Sequence, residues 1–158
     1  MHESLRQDTR VLDELRRVAG DGAHCTADAA SLPAAPGAYL LLMTIAHPLS
    51  LRIRTLSPVV LPPGWYVYAG NARGRGGIRA RVMRHLRPGK SPHWHVDRLT
   101  EAAEAILAIA FAGGHECVLV QALLARPRFQ ADVPGFGGTD CRVCPAHLLT
   151  VRLGPEFS

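Results

Sequence analysis

Apolar and polar positions along the chain change period several times, and each change marks an element. Leu5, Leu12, Leu15 and Val18 fall near helical spacing among charged neighbours, so residues 3–19 are predicted as a short amphipathic helix. The Gly-, Ala-, Asp- and Pro-rich stretch after it has no period and reads as a linker ending near Pro36. Residues 38–46 (AYLLLMTIA) are a continuous apolar run of strand length. Residues 49–61 alternate instead, with Leu51 and Ile53 facing away from Arg52 and Arg54. His47-Pro48 and Pro62-Pro63-Gly64 are turn signals, and residues 65–70 (WYVYAG) are aromatic and β-branched, which favours a strand. Strands in direct succession predict an antiparallel meander.

Beyond the loop NARGRGG, Ile78, Val82 and Leu86 recur every four residues as one helix face, with the arginines on the others. Residues 94–104 are predicted as a second helix, and residues 105–114 as either its continuation or, the preferred reading, a buried strand from Ile106 closed by glycines. Residues 116–126 put Cys117, Val120 and Leu124 on one helical face, and Pro127 ends that helix. A Gly-rich loop, VPGFGGTDCRVC, precedes a last strand, HLLTVRL. The expected fold class is α+β, a small antiparallel sheet with a three-stranded core flanked by helices. Residues 1–35 form a helix and linker in this reading, and residues 36–158 the working domain.

Length and composition bound this picture. At 158 residues and 47% hydrophobic content the chain is one globular domain with ample material for a core. Its four cysteines, at 25, 117, 141 and 144, are too irregularly spaced for a secreted disulfide framework. The N-terminal segment carries acids throughout and lacks the apolar stretch of a signal peptide, and no apolar run reaches the roughly 18 residues of a membrane span. The expectation is a cytoplasmic protein with no membrane partner. The formal charge of +5 is mild, but residues 71–90 alone carry +7 and no acid, so the remainder sums to −2. Such a local cationic field suits an anionic partner, nucleic acid above all, although an arginine-rich solvated helix has the same composition.

GAYLLL followed by WYVYAG resembles the two signature strands of GIY-YIG nucleases, with Gly37-Ala38-Tyr39 for the first triplet and Tyr68-Ala69-Gly70 for the second. After them come a helix carrying Arg81 with His85 one turn later, and Glu116 opening a later helix. Together with HWHVDRL, HECVLVQAL and GFGGTDCRVCPAHL, the order is similar to a small archaeal and bacterial subgroup of unknown function, found alone or fused to endonuclease III. The resemblance spans residues 36 to about 152. It implies a metal-dependent DNA endonuclease that hydrolyses phosphodiesters in DNA repair or processing, acting on branched, nicked or damaged DNA. A repair protein or a second copy of the chain are the protein partners it allows.

Phosphodiester hydrolysis needs an attacking water, an acceptor for its proton, cationic charge for the phosphoryl oxygens and help for the leaving oxygen. The resemblance makes Tyr39 the proton acceptor, Arg81 the transition-state clamp and Glu116 the single protein ligand of one Mg²⁺ or Mn²⁺, with Tyr68 and His85 in support. A phenol of ordinary pKa near 10 is a poor base at neutral pH, so neighbouring cationic charge has to favour the phenolate. Arg79 rivals Arg81, and Tyr66 shares a strand face with Tyr68. Between residues 29 and 131 the only carboxylates are Asp97, Glu101, Glu104 and Glu116, which narrows the choice of metal ligand; an acid complementing a helix dipole is the alternative for Glu116. Arg73, Arg75, Arg79, Arg84, Arg87, Lys90 and His93 make up the expected nucleic-acid-binding set, and His95 beside Trp94 is a further candidate.

Two departures from the family pattern matter, the first being alanine at the middle of both triplets, GAY and YAG. Nucleases of that superfamily carry an asparagine C-terminal to the metal glutamate, whereas here only Gln121 stands in the helix. The glycines of RGRGG lack the Gly-Lys-Ser/Thr of a phosphate-cradling loop. Cys141, Cys144 and His147 have the character of a zinc site that needs a fourth ligand, for which Cys117, His115 and Asp140 are the candidates. The functional alternatives are therefore a non-catalytic nucleic-acid-binding module of the same fold and a small zinc or thiol protein.

Overall fold

A computed structural model describes residues 8–20, 23–92, 94–137 and 141–157. Its strands are β1 (Cys25–Thr26), β2 (Gly37–Ile45), β3 (Leu49–Leu51), β4 (Val59–Leu61), β5 (Gly64–Ala72), β6 (Ala105–Ala112), β7 (Phe129–Gln130) and β8 (Leu148–Val151). The helices are α1 (Thr9–Ala19), α2 (Gly77–Leu86), α3 (Asp97–Ala102) and α4 (Glu116–Leu124). A six-stranded sheet runs in the order β1-β6-β2-β5-β8-β7, antiparallel throughout, which makes the fold α+β.

Strand β2 is central and covered on both faces, which is why its sequence is continuously apolar rather than alternating. On one side Leu40 and Leu42, with Val67, Ala69, Leu107 and Ile109, pack against Leu12 and Leu15 of α1 and Leu119 and Leu123 of α4. On the other, Tyr39, Leu41 and Met43, with Tyr66 and Tyr68, pack against Ile78 and Val82 of α2 and Leu99 of α3. The period of two along β2 and β5 thus assigns each tyrosine to the α2/α3 side.

The meander expectation is corrected. Residues 49–61 supply β3 and β4, a two-stranded ribbon outside the main sheet, and β2 pairs directly with β5 on one edge and β6 on the other. The three long strands of the core are therefore β6, β2 and β5. The alternation holds in burial, since Leu51 and Ile53 are buried while Arg52 and Arg54 are exposed, but β3 ends at Leu51 and the other three residues lie in the loop beyond it. It carried no information on which sheet that strand joins, and a position flanked by two helix-covered strands has no room for two arginines.

The stretch read as a linker is also structured. β1 pairs with β6, and the carbonyls of Pro33 and Ala35 accept hydrogen bonds from the amides of Arg79 and Ile78 at the start of α2. A side chain at Gly77, which has φ +62°, would overlap the carbonyls of Ala34 and Ala35, so this approach requires glycine. Helix α1 is held by more than its apolar stripe. Arg128, whose side chain is fully buried, donates from Nε to Glu14 Oε2 at 2.6 Å and from Nη1 to the Arg152 carbonyl at 2.7 Å. Removing one partner of a buried pair strands the other charge at a cost of about 3 kcal/mol or more. Glu14→Ala is expected to lose about that much in urea unfolding, several times the effect of Asp13→Ala on the exposed side of the same helix; comparable losses for the two variants would contradict this account.

Candidate functional site

At one end of the sheet a cavity of about 580 Å³ is lined by Tyr39 of β2, Tyr68 and Asn71 of β5, Arg81 of α2, Trp94, His95, Glu116 and Cys117 of α4, and Cys141 and His147 of the C-terminal segment. Gly70 stands directly across from Tyr39 in the β2–β5 register, and any side chain there would overlap the hydroxyl end of the Tyr39 ring. The second triplet thus ends in glycine because the ring of the first lies over it. Gly137, with φ +70°, takes a similar place against Tyr68 and donates its amide to His95 Nδ1 at 2.8 Å.

Tyr39 Oη and His85 Nε2 share a buried hydrogen bond of 2.7 Å. Burial holds the Tyr39 phenol well above its usual range, with the Tyr68 neighbour adding to the effect and Arg81 opposing it. Tyr68 is likewise pushed up to about 12 by burial, again against Arg81. The cationic charge expected to favour a phenolate is present but is outweighed by desolvation, so Tyr39 is a neutral phenol. His85 is lowered to about 4, chiefly by burial, with Asp97 opposing the shift, so its ring is neutral and able to accept a proton.

Between the two arginine candidates the structure distinguishes clearly. Arg81 borders the cavity, donates from Nη1 to the Asn71 carbonyl at 3.1 Å and lies 4.4 Å above the centre of the Trp94 ring. Arg79 donates from Nε to the Leu32 carbonyl at 2.7 Å and does not border the cavity. Tyr66 likewise turns away, its hydroxyl donating to the Pro62 carbonyl at 2.5 Å.

Glu116 is buried at the first turn of α4, with Oε1 accepting from Asn71 Nδ2 at 3.1 Å and Oε2 without a hydrogen-bond partner. His115 Nδ1 is 3.6 Å from Oε2. A buried carboxylate oxygen without a hydrogen-bond partner, on a residue that lines the cavity, fits a cation, because an unpartnered charge there is otherwise costly. Asn71 was not singled out in the sequence, although it directly follows the second triplet and is the residue that orients the glutamate.

Much of the basic segment is engaged internally. Arg84 grips Asp97 with both Nη atoms, at 3.0 and 3.2 Å, and lies over Trp94. Lys90 Nζ donates to the carbonyls of His85 and Arg87 and to Glu101. Arg73, Arg75, Arg79 and Arg87 are exposed. The amides of Ile78 and Arg79, at the start of α2, are occupied by the carbonyls of Ala35 and Pro33. His93 and Asp140 lie outside the described residues.

A second constellation borders the same cavity. One ligand atom each of Cys117, Cys141, Cys144 and His147 all lie within 4.8 Å of one another. Cys117 Sγ is 3.5 Å from Cys141 Sγ and 3.9 Å from His147 Nε2. All four cysteines are free thiols. The Cys144 amide, donating to Cys141 Sγ at 3.4 Å, is the largest influence lowering the Cys141 thiol to about 6, while burial raises Cys117 and Cys144. The missing fourth partner of Cys141, Cys144 and His147 is Cys117, brought from α4. This Cys/His group can hold a metal ion, and its sulfur-rich donors suit zinc better than magnesium. Among the described residues no helix is long and apolar enough to cross a membrane.

An antiparallel sheet with helices on both faces, and a polar cavity at its end joining two tyrosines, an arginine, a glutamate and a Cys/His group, defines the class of the molecule. Residues 38–156 match the model of one family, Domain of unknown function DUF123, and the chain belongs to it. Searches of curated proteins and of solved structures returned no match.

The depressed His85 has a consequence for stability. The folded state refuses a proton that the unfolded chain binds near pH 6.5, so the contribution is fully present above pH 6.5 and is lost as pH falls toward 4. The full span is worth about 3 kcal/mol. Between pH 7 and 4.5 the protein is expected to lose about 2 kcal/mol more than His85→Gln does, measured by denaturant unfolding at constant ionic strength; parallel pH profiles would refute the assignment.

Proposed function

We propose that this protein is a metal-dependent DNA endonuclease related to the GIY-YIG nucleases. The observation that carries the proposal is the convergence of Tyr39, Tyr68, Arg81 and Glu116, from four separate elements, on one cavity, with a buried Glu116 oxygen that has no hydrogen-bond partner. Their order along the chain supports the same reading, as does the exposed positive charge of Arg73, Arg75, Arg79 and Arg87.

Glu116 would hold one Mg²⁺ or Mn²⁺, oriented by Asn71; a single carboxylate supplemented by water and phosphate oxygens suits these ions. The cation would offset charge growing on the phosphoryl and leaving oxygens. Arg81, already fixed by Asn71 and Trp94, presents its remaining donors to the phosphoryl group. Water attacks phosphorus as the bond to the leaving oxygen breaks. The proton lost by the water passes to Tyr39 Oη, whose own proton has an acceptor in His85 Nε2. A neutral phenol can work in this way because it gives up one proton as it takes another. The asparagine expected beyond the glutamate is absent from α4, and Asn71 stands against the carboxylate from the opposite strand.

The Cys117–Cys141–Cys144–His147 group is read as a structural zinc centre. Tetrahedral zinc with three thiolates and an imidazole separates sulfurs by about 3.8 Å and sulfur from nitrogen by about 3.6 Å, close to the 3.5 and 3.9 Å found here. Because Cys117 follows Glu116, an ion held there also fixes the first turn of α4.

Purified protein is expected to cut labelled branched, nicked or duplex DNA with Mg²⁺ or Mn²⁺ and to stop on addition of EDTA. Tyr39→Phe, Arg81→Ala and Glu116→Ala should each lower kcat by at least about a hundredfold, with binding retained. Salt-sensitive binding with no cleavage of any substrate would favour the non-catalytic module, and cleavage undiminished in Glu116→Ala would reject the site. Elemental analysis of protein prepared without chelator should find one zinc per chain, lost in Cys144→Ser; metal-free protein of unchanged Tm would reject the zinc centre.

A further inference from the structure

Asp97 is completely buried and lies against His85 Nδ1, the ring nitrogen other than the one that meets Tyr39. Its Oδ2 accepts the Trp94 amide at 2.9 Å, and Arg84 donates to both oxygens. Its Oδ1 also lies 3.4 Å from His85 Nδ1, a ring nitrogen that is buried and otherwise without a hydrogen-bond partner. A buried carboxylate facing a buried imidazole nitrogen, with the other nitrogen on a phenol, is a continuous chain of three titratable groups drawn from α3, α2 and β2.

We propose that Asp97 is a positioning residue for the reaction, holding His85 in the tautomer that carries its proton on Nδ1 and leaves Nε2 open to Tyr39. The proposal rests on the endonuclease reading for its catalytic consequence, but not for its structural content.

Two neutral tautomers fit the Tyr39–His85 contact. With the proton on Nε2, the ring would donate to the tyrosine oxygen, leaving Nδ1 as a bare lone pair facing a carboxylate at 3.4 Å. Two acceptors so placed in a buried site repel each other, and neither has water to relieve it. With the proton on Nδ1, the ring points a donor at Asp97 and accepts the Tyr39 hydroxyl proton at Nε2. Only this second arrangement lets Tyr39 release a proton to His85 as it takes one from water. The O–H bond of Tyr39 breaks and an N–H bond forms at Nε2. The resulting imidazolium is balanced by Asp97, which remains ionised and takes no proton itself.

The other charged and titratable groups facing His85 act in a definite sense. Arg81 and Arg84 on its own helix disfavour the imidazolium, and Tyr39 and Tyr68 from the sheet are neutral. Lys90 binds the His85 backbone carbonyl rather than its ring. Asp97 is therefore the group that favours a charged ring, and its ion pair with Arg84 keeps the carboxylate ionised and aimed. This gives Arg84 an indirect part in the site rather than a contact with DNA.

The test uses ¹⁵N-labelled full-length protein. Long-range ¹H–¹⁵N spectra of the wild type at neutral pH should place the His85 proton on Nδ1 and show Nε2 as an unprotonated acceptor. In the isosteric Asp97→Asn, His85 should titrate at lower pH than in the wild type. Its tautomer population should also shift toward Nε2–H, because the amide can present either an acceptor or a donor. Wild-type protein with the His85 proton on Nε2, or a variant whose His85 titration and tautomer match the wild type, would overturn the proposal. If Asp97→Asn does not fold, the wild-type tautomer alone decides. In the cleavage assay Asp97→Asn should lose about a hundredfold or more in kcat, with KM little changed and the acidic limb of the pH–rate profile displaced. A folded variant with wild-type kcat would overturn the catalytic part. Failure of the wild type to cleave any DNA would reject the endonuclease reading and the catalytic role together, while the tautomer measurement still decides what Asp97 does to His85.

Discussion

Strand β2 lies in the middle of the sheet with helices over both faces, and any polar group on it must find its partner inside the protein. Tyr39 is such a group. Its ring lies over Gly70 and its hydroxyl reaches His85, whose ring is edged by Trp94 and backed by Asp97. This single buried hydrogen bond ties the central strand to α2, and through Asp97 to α3. The same burial that makes the bond necessary raises the tyrosine and depresses the histidine, so both meet as neutral groups.

Positive charge in this molecule is divided between structure and surface. The basic segment read as one field contains arginines with quite different surroundings. Arg81 is pinned at the cavity wall by a backbone carbonyl and an aromatic ring, Arg84 is neutralised by a buried aspartate, and Arg75 and Arg87 face solvent. Far from the cavity, Arg128 is wholly buried and joins α1 to the C-terminal segment. A formal charge counts all of these alike, whereas the field that reaches a polyanion comes mainly from the exposed ones.

The two metal-binding possibilities meet at the start of α4. Glu116 faces Asn71 across the cavity, and the next residue, Cys117, faces Cys141 and His147. Soft and hard donors on adjacent residues suit different ions; in the proposed function one would be held entirely by protein and the other partly by a ligand. The loop bearing Cys141 and Cys144 thereby becomes a wall of the cavity rather than a separate module.

Local pattern was enough to determine the strands 38–46 and 65–70, the helix with Ile78 and Val82 inward, the strand from Ile106 and the helix opened by Glu116, although that helix buries Leu119, Val120 and Leu123 rather than the expected Cys117, Val120 and Leu124. The order of Tyr39, Tyr68, Arg81, His85 and Glu116 was equally legible. Pairing was not: the ribbon of β3 and β4 alternates as well as any sheet strand, and only competition for the edges of β2 excluded it. The same limit hid Asn71 and Asp97, each an ordinary residue in its own segment, and left Cys117 as one of three candidates to complete the Cys/His group. Their roles arise from partners 45, 12 and 24 positions away, Glu116, His85 and Cys141 respectively. Chemistry that depends on one side chain's distance from another cannot be read from the spacing of either along the chain, and the tertiary structure alone decided it.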